Sequence, residues 1–442
     1  MSLVTAHDAE IAQSRAAAGL KSLGINKGDR VGFCVDSSPL LLLAIAGGLR
    51  VGIVPVVINP RLLENERRII FDDAEISALI LSELELEGLF GLERAELSDF
   101  PMTRPMLYTS GTTGQPKGVW TGILSDSDST RLWSEEISQW SFNKSDVHLV
   151  CSPLYHSAPL RFAICTWLAG GSVVVLDGFS VERVIEAVNE FRPTTTFCTP
   201  AHLQRLDEVG RLGIFSSLRL VLHAGSRCDE RLKRKAIAEI GVDVLWEFYG
   251  STEGQFTVCS SSEWLQHPGS VGRARDGRVL SIDADGLVWC WCPEYARWEY
   301  WKDPDKTVAS WCDGKFSVGD LGHIDDDGYL FLSGRRDDLI ITGGVNVYPE
   351  EIEGVLRGCH GVVDVVVFGR DDERWGTRVC AAVVGGVSDA ELWDYASEHL
   401  APFKRPKEYH KVDAIPRSAL DKVRRSTMSN DLGLNPFEIM AE

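Results

Sequence analysis

The chain lacks an apolar run clean enough to cross a bilayer. Its greasiest stretch, from Leu40 to Ile58, is interrupted by Arg50, several glycines and Pro55, and reads as a helix followed by a buried strand. A basic excess is also missing. Lys and Arg number 45 against 64 Asp and Glu, a formal net charge of −19, which disfavours nucleic acid or an anionic membrane as the main partner. The first ten residues show no basic patch followed by an apolar core, so a cytoplasmic protein without a secretory signal is expected. Cysteine pairs at metal or redox spacing are absent too. The 11 cysteines are scattered, and Cys290 and Cys292 stand one residue apart; reduced and mostly buried thiols are the expectation. There is no internal repeat and no low-complexity segment.

What is present is ordinary globular composition, 44% hydrophobic and 25% charged over 442 residues. That length exceeds a single simple core, so two or three structural units are expected. Short apolar runs alternate with helical patterns. Val31 to Val35, Ile53 to Ile58 and Ala78 to Leu81 read as strands, with helices over Leu40 to Leu49 and Leu63 to Phe71. The rhythm returns with a strand over Val173 to Leu176, a helix over Val181 to Phe191 and a strand over Thr195 to Cys198. Such alternation implies α/β architecture, with parallel sheets covered on both faces and ligands bound at the carboxyl ends of strands. From about Leu280 the texture changes. Trp289, Trp291, Trp298, Trp301 and Trp311 with interleaved turns indicate a small twisted β subdomain whose tryptophans pack in core and edge. Beyond Arg335 to Asp338 the pattern becomes a small α+β unit, with strands over Val363 to Phe368 and Val379 to Val384 and a helix over Ala390 to Leu400.

The densest chemical signal is Tyr108-Thr109-Ser110-Gly111-Thr112-Thr113-Gly114-Gln115-Pro116-Lys117-Gly118-Val119. Glycines let backbone N–H groups approach an anion, hydroxyls add donors, and Lys117 adds a point charge. A polyphosphate is the natural guest, although the spacing differs from the common nucleotide loop; the competing reading is a polar surface loop. Downstream, Phe248-Tyr249-Gly250-Ser251-Thr252-Glu253-Gly254 offers aromatics able to stack on a base and a carboxylate suited to Mg²⁺. Its plain alternative is a turn capped by Ser and Thr. Asp320, in an apolar frame, suits two ribose hydroxyls or an Asx-type turn. Asp325-Asp326-Asp327-Gly328 is a hairpin turn rather than a calcium loop, because the full calcium pattern is absent.

These segments resemble, in order and over nearly the whole chain, the adenylate-forming ligase superfamily: acyl- and aryl-CoA synthetases, peptide-synthetase adenylation domains and beetle luciferases. The likeness to acyl- and aryl-CoA synthetases is the strongest. Further matches are Cys151-Ser152-Pro153-Leu154-Tyr155-His156-Ser157, His223-Ala224-Gly225-Ser226, Ser333-Gly334-Arg335-Arg336-Asp337-Asp338, Thr342-Gly343-Gly344-Val345 and Ile415-Pro416-Arg417-Ser418-Ala419-Leu420-Asp421-Lys422.

The resemblance implies an acid–CoA ligase. A fatty or aryl carboxylic acid would be activated with Mg-ATP to an acyl-adenylate and then passed to CoA. The alternatives are transfer to a carrier protein and a non-catalytic nucleotide or acyl-CoA binder. The implied catalytic groups are Lys422, Thr252, Glu253 and His156, with Glu253 on Mg²⁺, Thr252 on the α-phosphate and His156 as a wall or gate. The implied nucleotide site comprises Thr109, Ser110, Gly111, Thr112, Thr113, Gly114, Lys117, Gly225, Ser226, Phe248, Tyr249, Gly250, Asp320 and Arg335. Asp337 is the hinge pivot, and Gly343, Gly344 and Lys404 face CoA. His156, Phe162, Thr199, His223, Gly225 and Gln255 line the acyl pocket; they include no obvious cation, which favours an apolar monoacid. The implied domains are 1–334, a hinge at 335–338 and a C-terminal domain over 339–442. Free CoA is the expected acceptor, since neither a carrier nor a condensation domain is in view. An oligomer is left open. Two departures stand out: Asp421 occupies a position usually held by glycine, which bears on the adenylation step, and the amino-terminal subdomain is short.

Overall fold

The computed structural model describes residues 1–109, 116–342, 345–372, 375–417 and 423–434. Within them the chain forms two compact units. One comprises Met1–Ser281, Trp289–Val318 and Asp325–Leu330; the other comprises Ile282–Val288, Gly319–Ile324 and Phe331–Glu442.

The first unit is built on an eight-stranded sheet. Its centre is parallel: Ser172–Val175, Val147–Val150, Thr195–Cys198, Leu220–His223 and Leu245–Glu247 lie side by side. Leu3–Thr5 closes one edge in antiparallel sense, and Thr257–Ser260 begins an antiparallel edge at the other. The central strands are almost wholly buried, as a sheet sandwiched by helices requires, and the polar His148 and Thr195 among them meet each other at 2.8 Å. Helix Val181–Phe191 shows how the sequence dictates its share. The Ser180 hydroxyl accepts from the Arg183 amide at 3.2 Å, fixing the start, while Val184, Ala187 and Val188 form one buried face. That face joins Leu149, Leu203, Phe215 and Val221 in the core.

A second parallel sheet places Arg30–Phe33 between Val54–Val57 and Ala78–Ile80. Between them in sequence, helix Pro39–Arg50 starts with Ser38 as its cap and a proline in its first turn. A third, antiparallel sheet pairs Leu107–Thr109 with Lys117–Trp120, and the latter with Glu299–Tyr300. The anticipated tryptophan-rich β subdomain is present: Val288–Trp291 and Trp311–Cys312 flank Lys315–Phe316, and Trp298 and Trp311 pack on Phe316. The acidic run is a turn, with Asp325 Oδ1 accepting from the amides of Asp327 and Tyr329.

The second unit centres on a long hairpin, Val362–Asp372 with Gly376–Gly385, extended by the parallel strand Glu408–Lys411. Ile352, Leu356, Leu392 and Ala396, from helices Pro349–Leu356 and Asp389–His399, cover one face. Ile415 and Met428 cover residues of the other face, including Val366 and Phe368.

Candidate active site

Several sequence-identified residues lie in the first unit, at the ends of its parallel strands. Strand Leu245–Glu247 leads into Phe248 and the 250–255 turn. The turn closes on itself: the Ser251 amide donates to the Gly254 carbonyl at 2.8 Å, and Gly250 bridges Gln255. A Cβ on Gly250 would lie 2.7 Å from the Gly254 oxygen, so only glycine fits without a shift. The turn presents Thr252, Glu253 and Gln255 together. Glu253 is 5% exposed. The Tyr300 hydroxyl donates to its Oε1 at 2.8 Å, while Oε2 makes no hydrogen bond among the described residues. A buried carboxylate with one oxygen anchored and the other available fits a hard divalent cation.

Phosphate-loop residues Ser110, Gly111, Thr112, Thr113 and Gly114 lie outside the described residues, as does the side chain of Thr109. The strands that carry the loop are described. At the start of the second, Lys117 Nζ meets Asp303 Oδ2 at 2.7 Å. The Lys117 ammonium, as a hydrogen-bond donor, is the first cause holding the Asp303 carboxyl below its usual range.

His156 caps helix Ser157–Leu168 and packs on Tyr155. Thr199 stands at the cap position of helix Pro200–Glu208. Gly225, at φ +99°, places its missing Cβ 3.9 Å from Thr199 Cγ2, so these two segments meet at the strand ends. Gly225 and Ser226 are exposed, whereas Phe248 is buried. Tyr249 packs against Phe256 in a tilted arrangement with centroids 4.8 Å apart. Phe162 and His223 sit in packed interior instead. Phe162 is enclosed by Trp140, Phe197 and Phe248. His223 contacts buried Lys233 through Nε2, and Lys233 pairs with Glu247 at 2.8 Å. Burial, then the Lys233 ammonium, keeps His223 neutral by pushing its pKa well below normal.

Beneath the turn lies a cavity that sequence reading missed. Helix Asp126–Gln139 contributes Leu132, Trp133 and Glu136; helix Ser157–Leu168 contributes Ser157, Leu160, Arg161 and Ile164. Both sets follow the three-to-four-residue spacing of one helical face. Thr252 to Gln255 form part of the wall, and Arg104, Arg275 and Arg278 complete its charged lining. Arg275 bridges Glu136 at 2.5 Å and Glu135 at 2.7 Å. Arg278 reaches Glu135 at 2.9 Å and Arg161 reaches Glu136 at 3.4 Å. Burial pushes the Glu136 carboxyl up, but Arg161 and Arg275 outweigh it and hold the group down at about 2.

The second unit carries the remaining residues. Arg335 Nε meets Asp320 Oδ1 at 3.0 Å. Asp337 lies in the short turn Arg336–Asp338. That turn is tied to the unit's core, because Arg425 reaches Asp338 at 2.8 Å and buried Glu353 at 2.9 Å. Lys404 pairs with Glu351 at 2.5 Å. Gly343, Gly344 and Lys422 lie outside the described residues.

A doubly wound sheet with a glycine- and hydroxyl-rich loop, a buried carboxylate turn and a separate α+β unit defines an adenylate-forming ligase. Comparison with known proteins agrees. The family model for AMP-binding enzymes matches residues 3–100 and 103–288, and that for the AMP-binding enzyme C-terminal domain matches 351–422. The chain belongs to the AMP-binding enzyme family. Among its relatives is the fatty acid–[acyl-carrier-protein] ligase ScoC of Streptomyces coeruleorubidus, 31% identical over 93% of this chain and 88% of that protein. The long-chain-fatty-acid–CoA ligase FadD13 of Mycobacterium tuberculosis is 30% identical, over 94% of this chain and 90% of that one. Among solved structures, o-succinylbenzoate CoA synthetase (MenE) from Bacillus subtilis, in complex with the acyl-adenylate intermediate OSB-AMP, superposes with a TM-score of 0.86. It is 26% identical, with 95% of this chain and 92% of that one covered. ATP-bound MatB from Rhodopseudomonas palustris gives a TM-score of 0.84 at 27% identity, covering 96% and 93% of the two chains.

Proposed function

We propose that this enzyme is an AMP-forming acid–CoA ligase acting on a fatty or aryl carboxylic acid, with ATP, Mg²⁺ and CoA as its small-molecule partners. The observation that carries the reading is the Gly250–Gln255 turn. It sets a buried, Tyr300-anchored carboxylate beside the strands that hold the phosphate loop. In the first step a carboxylate oxygen of the acid attacks the α-phosphorus of ATP, and pyrophosphate leaves. Positioning and charge neutralisation dominate such a transfer. Thr252 orients the α-phosphate. Glu253 would hold Mg²⁺, whose charge offsets that of the phosphates, and the loop from Thr109 to Lys117 grips the departing pyrophosphate. Lys117 exchanges Asp303 for phosphate when nucleotide arrives. Tyr249 and Gly225 form the adenine platform, while Phe248, expected there too, packs inside against Phe162 and Phe197, and Asp320 and Arg335 bind the ribose side of the nucleotide.

Lys422 draws the acid carboxylate and α-phosphate together. In the second step the CoA thiolate attacks the acyl carbonyl and AMP departs. Residues 339–442 turn about Asp337 between the steps, which removes Lys422 and brings Gly343 and Gly344 to the thiol. Lys404 meets the CoA phosphates after leaving Glu351. The relatives include both CoA and acyl-carrier-protein ligases, so a carrier-borne thiol is the second reading. Among the described residues no helix is long and apolar enough to cross a membrane, and we place the enzyme in the cytoplasm.

The test is Lys422→Ala. Adenylation should be lost, with roughly 3–4 kcal/mol added to its barrier, while thioester formation from supplied acyl-AMP survives. Equal loss of both half-reactions would reject the assigned role.

A further inference from the structure

The cavity beneath Thr252 to Gln255 holds more positive charge than its own carboxylates satisfy. Arg161, Arg275 and Arg278 each pair with Glu135 or Glu136. Arg104 does not. Its guanidinium makes one hydrogen bond among the described residues, from Nη2 to the Thr252 carbonyl at 3.2 Å, and no ion pair there. Burial, and then the like charge of Arg161, pull its pKa down to about 10, and the more distant attraction of Glu136 and Glu253 does not make up the difference. Arg161 Nε and Arg275 Nε are also buried without an acceptor. Arginine retains its charge in such a place and presents a planar fork of donors that matches a carboxylate. A partly buried guanidinium held by no ion pair is costly, so the arrangement calls for an anion from outside the chain. The walls limit what that anion brings with it. Leu132, Trp133, Leu160 and Ile164 surround the guanidinium groups, which suits a carboxylate on an apolar stem better than a bare phosphate.

We propose that this cavity is a subsite for a second carboxylate of the acid, so that the enzyme activates one end of a dicarboxylic acid while Arg104 and Arg161 hold the other. The inference rests on the ligase reading and names its substrate class. The shared wall makes the link: Thr252 to Gln255 border the cavity and belong to the turn assigned to the reaction centre, and helix Ser157–Leu168, which contributes Arg161, is capped by His156.

The experiment pairs each linear diacid from succinate to suberate, and terephthalate, with the monoacid of equal length. It measures acid-dependent pyrophosphate release, and separately calorimetric binding in the presence of AMP. For the best pair, the diacid should exceed the monoacid in kcat/KM, and Arg104→Met should cut that ratio by at least about tenfold, the scale of a lost hydrogen bond to charge. The same variant should raise the melting temperature, because a partly buried cation without an ion pair has been removed; an arginine with a purely structural role would lower it. Monoacids favoured throughout, or a ratio unmoved by Arg104→Met, would overturn the subsite and leave the ligase intact. Binding of inorganic phosphate or pyrophosphate that depends on Arg104, without diacid binding, would likewise overturn it. Diacid binding that depends on Arg104, without pyrophosphate release from any acid, would support the subsite and reject the ligase reading.

Discussion

Tyr300→Phe deletes one hydroxyl and little else, which makes it an incisive test of how Glu253 is positioned. The lost bond is 2.8 Å long, and its partners are 6% and 5% exposed, so water cannot readily replace it. A hydrogen bond to a charged group contributes about 1.5–3 kcal/mol. If that energy serves to orient Glu253 toward Mg²⁺, adenylation should slow by roughly 10- to 150-fold at limiting magnesium. Excess magnesium should recover part of the loss, because a misoriented ligand weakens binding before it abolishes chemistry. Thioester formation from supplied acyl-AMP should stay within about twofold of the parent enzyme, as pyrophosphate has already left by then. Rapid-quench measurement of pyrophosphate at several magnesium concentrations separates these terms. An unchanged magnesium dependence, or equal slowing of both half-reactions, would refute the idea that Tyr300 acts through Glu253.

Three further predictions follow from the same structure. Glu136→Ala strips the shared partner from Arg161 and Arg275 and should destabilise the fold by about 3–5 kcal/mol in urea melts; a change below roughly 1 kcal/mol would contradict the pairing. His148 is fully buried, and burial is the first cause lowering its pKa from 6.5 to about 3. The unfolded chain therefore binds a proton that the native state refuses, so this contribution to stability is complete above pH 6.5 and is lost as pH falls toward 3, by up to about 1.4 kcal/mol per pH unit. His148→Gln should flatten that slope in urea melts run across the range, and an unaltered slope would argue against it. Asp337→Pro should impair thioester formation more than adenylation when the half-reactions are timed separately; unchanged thioester formation would count against rotation about this residue.

Much of the fold was legible because local and tertiary signals coincide. The helix over Val181 to Phe191 appears at its expected bounds because Ser180 caps it and its apolar residues share one face. The strand over Thr195 to Cys198 is equally clear, being short and opened by two β-branched threonines. The carboxylate turn announced itself through a contiguous motif. The arginine cavity did not, since its parts come from at least five separated segments. Arg104 reads as a loop residue before a strand. Glu136 reads as one more charge on a helix's solvent face, and only the packing of helix Asp126–Gln139 reveals it as buried. Arg275 and Arg278 follow a glycine-rich turn with no periodic pattern. Tyr300 and Asp303 lay within the tryptophan-rich stretch, and their link to Glu253 and Lys117 depends on an antiparallel pairing of Glu299–Tyr300 with Lys117–Trp120. None of the residues expected to line the acyl pocket is a lysine or an arginine. The interior pocket beside Gln255 is lined with guanidinium groups.

The central claim is that the chain joins a carboxylic acid to AMP. Acid-dependent exchange of labelled pyrophosphate into ATP, run with Mg²⁺ and without CoA, tests it most directly. The account predicts exchange that requires both acid and metal and disappears in Glu253→Gln. ATP binding with no exchange under any acid of the monoacid and diacid panel would contradict it.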